Sequence, residues 1–158
     1  MKKKIILIIF IILWMSVIFI FSNMSGSESL EQSNGFIENT ILKIIELFNS
    51  NLSLENKTIL VNIFSTPVRK LAHVFVYFIL GILVCSLFAC YEFSNKKIFI
   101  FTILICFLYA CSDEIHQLMV NGRAGKILDV IIDTFGSIIS CVIMYYVRNY
   151  IKVKNKLN

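Results

Sequence analysis

The sequence predicts an all-α membrane protein: a bundle of four transmembrane helices with an amphipathic helix in the outer loop. Three observations predict it. Of 158 residues, 58% are apolar and only 16% are charged, against about 45–50% and about 25% in a soluble domain. Mean hydropathy is +0.80, and proline occurs once. The apolar residues also fall in long runs, and about 20 such residues cross a bilayer core as a helix. Disorder, coiled coil and an ordinary soluble fold are excluded. The length supports one domain, 1–158, with spans at about 5–21, 74–91, 98–120 and 127–147 and an outer loop at 22–66.

The first span, Ile5–Phe21, follows Lys2, Lys3 and Lys4. It exceeds the usual apolar stretch of a signal peptide, about 7–15 residues, and the following Ser22-Asn23-Met24-Ser25 lacks a small-residue cleavage pattern. It reads as an uncleaved anchor. In the outer loop, Ser25-Gly26-Ser27-Glu28 fits a capping box. From Phe36 to Phe48, apolar residues at 37, 41, 44, 45 and 48 make one face. At about 13 residues this helix is too short to span. It lies on the outer surface or packs over the bundle mouth.

The second span is Val74–Tyr91, and Thr66-Pro67 reads as its N-cap with proline at the first helical position. The third is Ile98–Val120, with Asn121-Gly122 as its C-cap. The fourth begins near Gly125-Lys126 and runs over Ile127–Val147. The five cysteines, 85, 90, 106, 111 and 141, sit in or beside apolar segments with no CxxC, as small apolar filler.

The net charge of +5 comes from 15 Lys+Arg against 10 Asp+Glu. These cations flank apolar runs and form no basic stripe, so they read as topology signal and contacts to membrane lipids rather than to nucleic acid. With the N-terminus inside, nine of the fifteen, Lys2, Lys3, Lys4, Lys96, Lys97, Arg148, Lys152, Lys154 and Lys156, lie inside. Both termini are then cytoplasmic in a multi-pass membrane protein. The 22–66 loop and the 112–126 turn share the outer side.

Ionisable residues within spans are costly and mark function by default. The second helix carries Arg69, His73 and Tyr77 one turn apart, with Lys70 offset by one residue. The third carries Asp113, Glu114, His116 and Gln117, of which 113, 116 and 117 share a face by spacing. The fourth carries Asp129 and Asp133, and Gly136 and Ser140 continue that stripe as a close helix contact. Arg123 lies between the third and fourth helices. Arg69, Lys70, Gln117 and Arg123 suit an anionic headgroup. His73 and His116, with Asp113, Glu114, Asp129 and Asp133, suit acid–base work. An unpaired acid at such depth is costly, so Asp129 should lie within salt-bridge or one-water reach of Arg69 or Arg123, folded back over the helix start. Asp133 should sit deeper, near His73 or His116. HExxH, GxSxG, a P-loop and GxGxxG are all absent. No spacing marks a metal site, and nothing specifies a cofactor.

Together these residues resemble the VanZ-like family of small bacterial membrane proteins. The resemblance rests on Phe21-Ser22 with Ser25, Ser29 and Ser33, on Arg69-Lys70-Leu71-Ala72-His73-Val74-Phe75-Val76-Tyr77, on Tyr109-Ala110-Cys111-Ser112-Asp113-Glu114-Ile115-His116-Gln117, and on the run from Asn121 to Gly136. It covers most of the chain. It implies a link to low-level glycopeptide resistance, best known for teicoplanin, and implies no mechanism. Three readings follow: a site acting on a lipid-linked cell-wall precursor, a non-enzymatic binder of such a lipid or of a lipoglycopeptide, and a proton-coupled transporter. Whether the chain is an enzyme stays open at this point.

Overall fold

The structure, a computed structural model, describes residues 1–47 and 53–157. Five helices follow in order: α1 (Lys2–Ser22), α2 (Gly26–Leu47), α3 (Leu54–Cys90), α4 (Asn95–Gln117) and α5 (Ile127–Leu157). Among the described residues there is no strand. Four helices are long and apolar enough to cross a membrane: Lys2–Ser22, Leu54–Cys90, Asn95–Gln117 and Ile127–Asn155. Ile6, Ile9, Phe10, Ile12 and Leu13 of α1 stand exposed, as lipid-facing side chains must in a helix with so little buried surface. α3 is the hub and touches each of the other four helices.

Proline does not open α3. Ser53 caps this helix, its hydroxyl accepting from the Asn56 amide at 3.3 Å, and Pro67 lies inside it. Proline's missing N–H removes one ladder bond without ending the ladder, and packing against α2 supports the turns before it. At about 1.5 Å per residue, 37 residues extend about 55 Å, well beyond a core of about 30 Å. The part preceding the span packs with α2, and Ile37 of α2 and Val61 of α3 are buried.

α2 is therefore longer than the 36–48 segment, beginning at Gly26. Ser25 and Glu28 form the expected capping box: the Ser25 amide donates to Glu28 Oε2 at 2.8 Å and the Glu28 amide to Ser25 Oγ at 3.3 Å. Of the expected apolar face, Ile37 is buried and Ile44 is exposed, while residue 48 and the side chains of 41 and 45 lie outside the described residues. α4 ends at Gln117 with Leu118 as C-cap, a turn before Asn121-Gly122. Gly122, at φ +73°, instead turns the chain in the following loop. The Asn121 carbonyl there accepts from the Gly26 amide at 3.2 Å, tying the loop to the start of α2.

α3 and α5 cross at close range. A Cβ at Gly136 would collide with the Val74 carbonyl, and one at Gly81 with Ser140 Oγ. Small residues at such a seam let backbones approach, as the Gly136/Ser140 stripe predicts. α1 is tied on by Trp14 Nε1 donating to the Val76 carbonyl at 2.9 Å and by Tyr109 Oη donating to the Met15 carbonyl at 2.6 Å.

Candidate functional site

The chain alternates direction through α1, α3, α4 and α5, so Ser22, Arg69, His73, Gln117 and Asp129 gather at one end of the bundle. The α3–α5 seam positions the centre. His73 precedes Val74, and Asp133 stands one turn before Gly136, so the close backbone approach at Val74 and Gly136 brings the two side chains together. His73 Nδ1 lies 3.2 Å from Asp133 Oδ1, and Asp133 is fully buried, at 0% exposure. Asp133 thus lies beside His73, as expected for the deeper acid.

α4 adds two further buried acids, Asp113 and Glu114, each 5% exposed. Gln117 Nε2 donates to Asp113 Oδ2 at 3.0 Å, one turn along the helix. The Lys126 amide, just before α5, donates to Glu114 Oε2 at 2.7 Å. One carboxylate oxygen of Asp113, Glu114 and Asp133 each falls within 4.8 Å of the others.

Above this cluster lie two adjoining cavities. One, of about 250 Å³, is lined by Ile18, Phe21, Ser22, Met24, Ser29, Gln32, Arg69, Ala72, His73, Val76, Tyr77, Asp113, Gln117 and Arg123. The other, of about 180 Å³, shares Ser29, Arg69, His73, Gln117 and Arg123 with it and adds Gly26, Gly122, Ala124, Lys126 and Asp129. The first is mostly apolar toward α1 and the second polar. Among the described residues Arg69 makes no hydrogen bond or ion pair, and the one ion pair is His73–Asp133.

The arrangement departs from expectation in three places. Asp129 makes no salt bridge with Arg69 or Arg123 among the described residues. It shares the smaller cavity with both cations, which leaves the one-water alternative of that expectation standing. Arg123 does not fold back over α5. Its Nη2 donates to the Phe21 carbonyl at 3.1 Å, adding a second donor to an oxygen in the last turn of α1 that the Met24 amide reaches at 3.4 Å. His116 turns away from the acids: its ring stacks at 4.4 Å on Phe19 and its Nε2 sits 3.3 Å from Asn23 Oδ1. A 100° step per residue separates 116 from 113 and 117 enough for α1 to claim it. Lys70 is exposed and lines neither cavity.

Sequence reasoning missed the contribution of α2, whose Ser29 and Gln32 wall the larger cavity. Its signal was the serine series after the first span. It also missed Ser22, which faces this space beside the expected Tyr77, the hydroxyls of both having no partner among the described residues.

Chemically, an ionised Asp133 fixes the proton of His73 on Nδ1 and leaves Nε2 as a base or acceptor. Nε2 has no partner among the described residues, and His73 borders both cavities. This is a multi-pass helical membrane protein with a polar site buried at one end of its bundle. The VanZ/LLP1 family model matches residues 7–148, most of the chain. The protein belongs to the VanZ-like family. Comparison with curated proteins and with solved structures gave no match.

Proposed function

We propose that this end of the bundle faces outward across the bacterial plasma membrane and takes the anionic headgroup of a lipid-linked cell-wall component. The observation that carries the reading is Arg69, a cation without a partner among the described residues, on the wall shared by both cavities. A guanidinium presents a fork of donors that suits phosphate. Arg123 lines the same wall with only one of its donors committed, to Phe21. Ile18, Phe21 and Val76 offer apolar surface toward a lipid chain. His73, held by Asp133, stands where it can exchange a proton with a bound headgroup. The orientation rests on charge: Lys2, Lys3, Lys4, Lys96, Lys97 and Arg148 lie at the opposite end.

Family membership adds the finer reading, that occupying such a lipid contributes to low-level tolerance of teicoplanin-type glycopeptides. The test uses purified protein in nanodiscs with and without lipid-linked cell-wall precursor. Saturable binding that Arg69→Ala weakens at least about tenfold, the loss of one charge-assisted contact, supports the site. Equal binding by wild type and Arg69→Ala removes it. Product formation that depends on His73 would make the protein an enzyme. Unchanged precursor at every pH would make it a binder.

A further inference from the structure

We propose that Asp113, Glu114 and Asp133 bind one hard divalent cation, of the Mg²⁺, Mn²⁺ or Ca²⁺ class, beside the larger cavity, which Asp113 lines. This stands independently of the headgroup reading.

Each of the three carboxylates has one oxygen committed and one unpaired. Asp133 Oδ1 faces His73, Asp113 Oδ2 accepts from Gln117, and Glu114 Oε2 accepts from the Lys126 amide. Asp133 Oδ2, Asp113 Oδ1 and Glu114 Oε1 are buried with no partner. Buried polar atoms are ordinarily satisfied, so three orphans from three neighbouring acids call for one common explanation. Metal sites show this division: one oxygen meets the ion, and a neighbouring donor orients the carboxylate through the other.

The spacing fits. Oxygens on one octahedral ion at about 2.1 Å lie about 3.0 Å apart when adjacent and about 4.2 Å when opposite, and Ca²⁺ at about 2.3–2.6 Å accommodates more. One oxygen from each acid lies within 4.8 Å of the others. An all-oxygen donor set selects hard cations over zinc or copper. Charge agrees as well. Among the described residues only His73 pairs with these acids, and Arg69 and Arg123, which line the same cavity, bond to none of them, so three ionised acids carry an excess that a bilayer span does not tolerate. A dication would offset two of those charges.

A separate observation points to a ligand in the same space. Tyr77, 1% exposed, and Ser22, 3% exposed, line the larger cavity together with Asp113, and their hydroxyls are buried without partners. Mg²⁺ and Mn²⁺ retain several waters when bound by few carboxylates. Such waters would supply partners for both hydroxyls. No spacing signature announces the site because its ligands come from two helices, two of them as sequence neighbours on α4.

The test is a Mn²⁺ titration of full-length protein in nanodiscs, stripped of divalent ions, followed by loss of the free-Mn²⁺ electron paramagnetic resonance signal. The expected result is one saturable Mn²⁺ per chain, displaced by Mg²⁺ or Ca²⁺. Glu114→Gln and Asp133→Asn should abolish it. His73→Gln and Gln117→Ala, which keep every ligand, should weaken it about 10–100-fold, so the test survives if a ligand variant fails to fold. Glu38→Gln and Glu55→Gln should leave it unchanged. Absence of stoichiometric Mn²⁺ binding would overturn the proposal. So would binding that persists in Glu114→Gln and His73→Gln, or binding that follows the exposed acids. No precursor lipid is present in this titration, so its failure leaves the headgroup reading untouched.

Discussion

The seam between α3 and α5 holds buried polar groups along its length, yet its two halves treat them differently. Toward the middle, Ser140 Oγ donates to the Ser137 carbonyl at 2.7 Å, and Ser137 Oγ reaches the Tyr77 and Asp133 carbonyls at 3.4 Å. Cys85 Sγ sits 3.4 Å from both Thr102 Oγ1 and Cys141 Sγ. These small groups satisfy one another and let the helices close. At the site end, the seam and α4 bury three carboxylates that each leave an oxygen unpaired. The first pattern stabilises a bundle. The second costs stability unless a ligand completes it, and residues retained at such a cost mark function. Polarity inside a membrane bundle therefore locates a site only when its hydrogen bonds fail to close on themselves.

The sharpest way to break this comparison is to disrupt what both halves share. Gly136→Leu drives a side chain into the Val74 carbonyl. Overpacking costs about 1–3 kcal/mol and more where backbone is struck, so loss of folded protein in a thermal-stability assay is expected. Gly35→Ala, in α2 with nothing within 4 Å of its Cβ, should instead stabilise by about 0.5–1 kcal/mol. Next comes a contrast between one residue of each half. Asp133→Asn should abolish ligand binding, with a stability cost that comes from breaking its buried pair with His73. Cys141→Ala should lower stability by about 1 kcal/mol through lost packing and leave binding intact. If both variants lose stability and keep binding, the two halves are alike and the distinction fails.

A smaller effect is expected at the rim. Arg123→Ala removes the donor to the Phe21 carbonyl and should destabilise the α1 terminus by about 1–2 kcal/mol, read by hydrogen exchange at residues 19–23. Arg123→Lys should recover most of this, because one donor suffices for one carbonyl. The smallest effect concerns Glu28, whose carboxyl is held below its usual range by hydrogen bonds from the Ser25 amide and then the Ser25 hydroxyl. Because the folded value is the lower one, its contribution is complete above the unfolded carboxylate range and fades as pH falls through the folded value. Glu28→Gln should flatten that acid branch of the unfolding curve. An unchanged curve would remove Glu28 from the cap.

The helix count and the meeting of Asp133 with one of the two histidines were legible in the sequence, because hydropathy and one-turn spacing are local signals, and the structure chooses His73. The Gly136 seam was legible for the same reason. Helix ends were less so. Pro67 and Asn121-Gly122 looked like punctuation, but packing with α2 carried α3 past the proline, and α4 stopped at Leu118. Partner choice was the least legible. Arg123 and His116 were matched by sign to the acids, whereas the structure gives them to Phe21, Phe19 and Asn23 of the α1 end. Charge pairing is visible in a sequence, but acceptors at the end of a neighbouring helix appear only once that helix is in place.

The central claim is a site that opens outward at the end of the bundle formed by α3, α4, α5 and the 118–126 turn. Ala124 is exposed and lines the polar cavity, so Ala124→Cys tests it directly. Intact cells are treated with a membrane-impermeant maleimide, with the wild type reporting any reaction of the five native cysteines. The account predicts that Ala124→Cys labels in intact cells, beyond wild type, and that added lipid-linked precursor slows the labelling. Labelling that occurs only after the membrane is permeabilised would place the site on the cytoplasmic side and contradict the account.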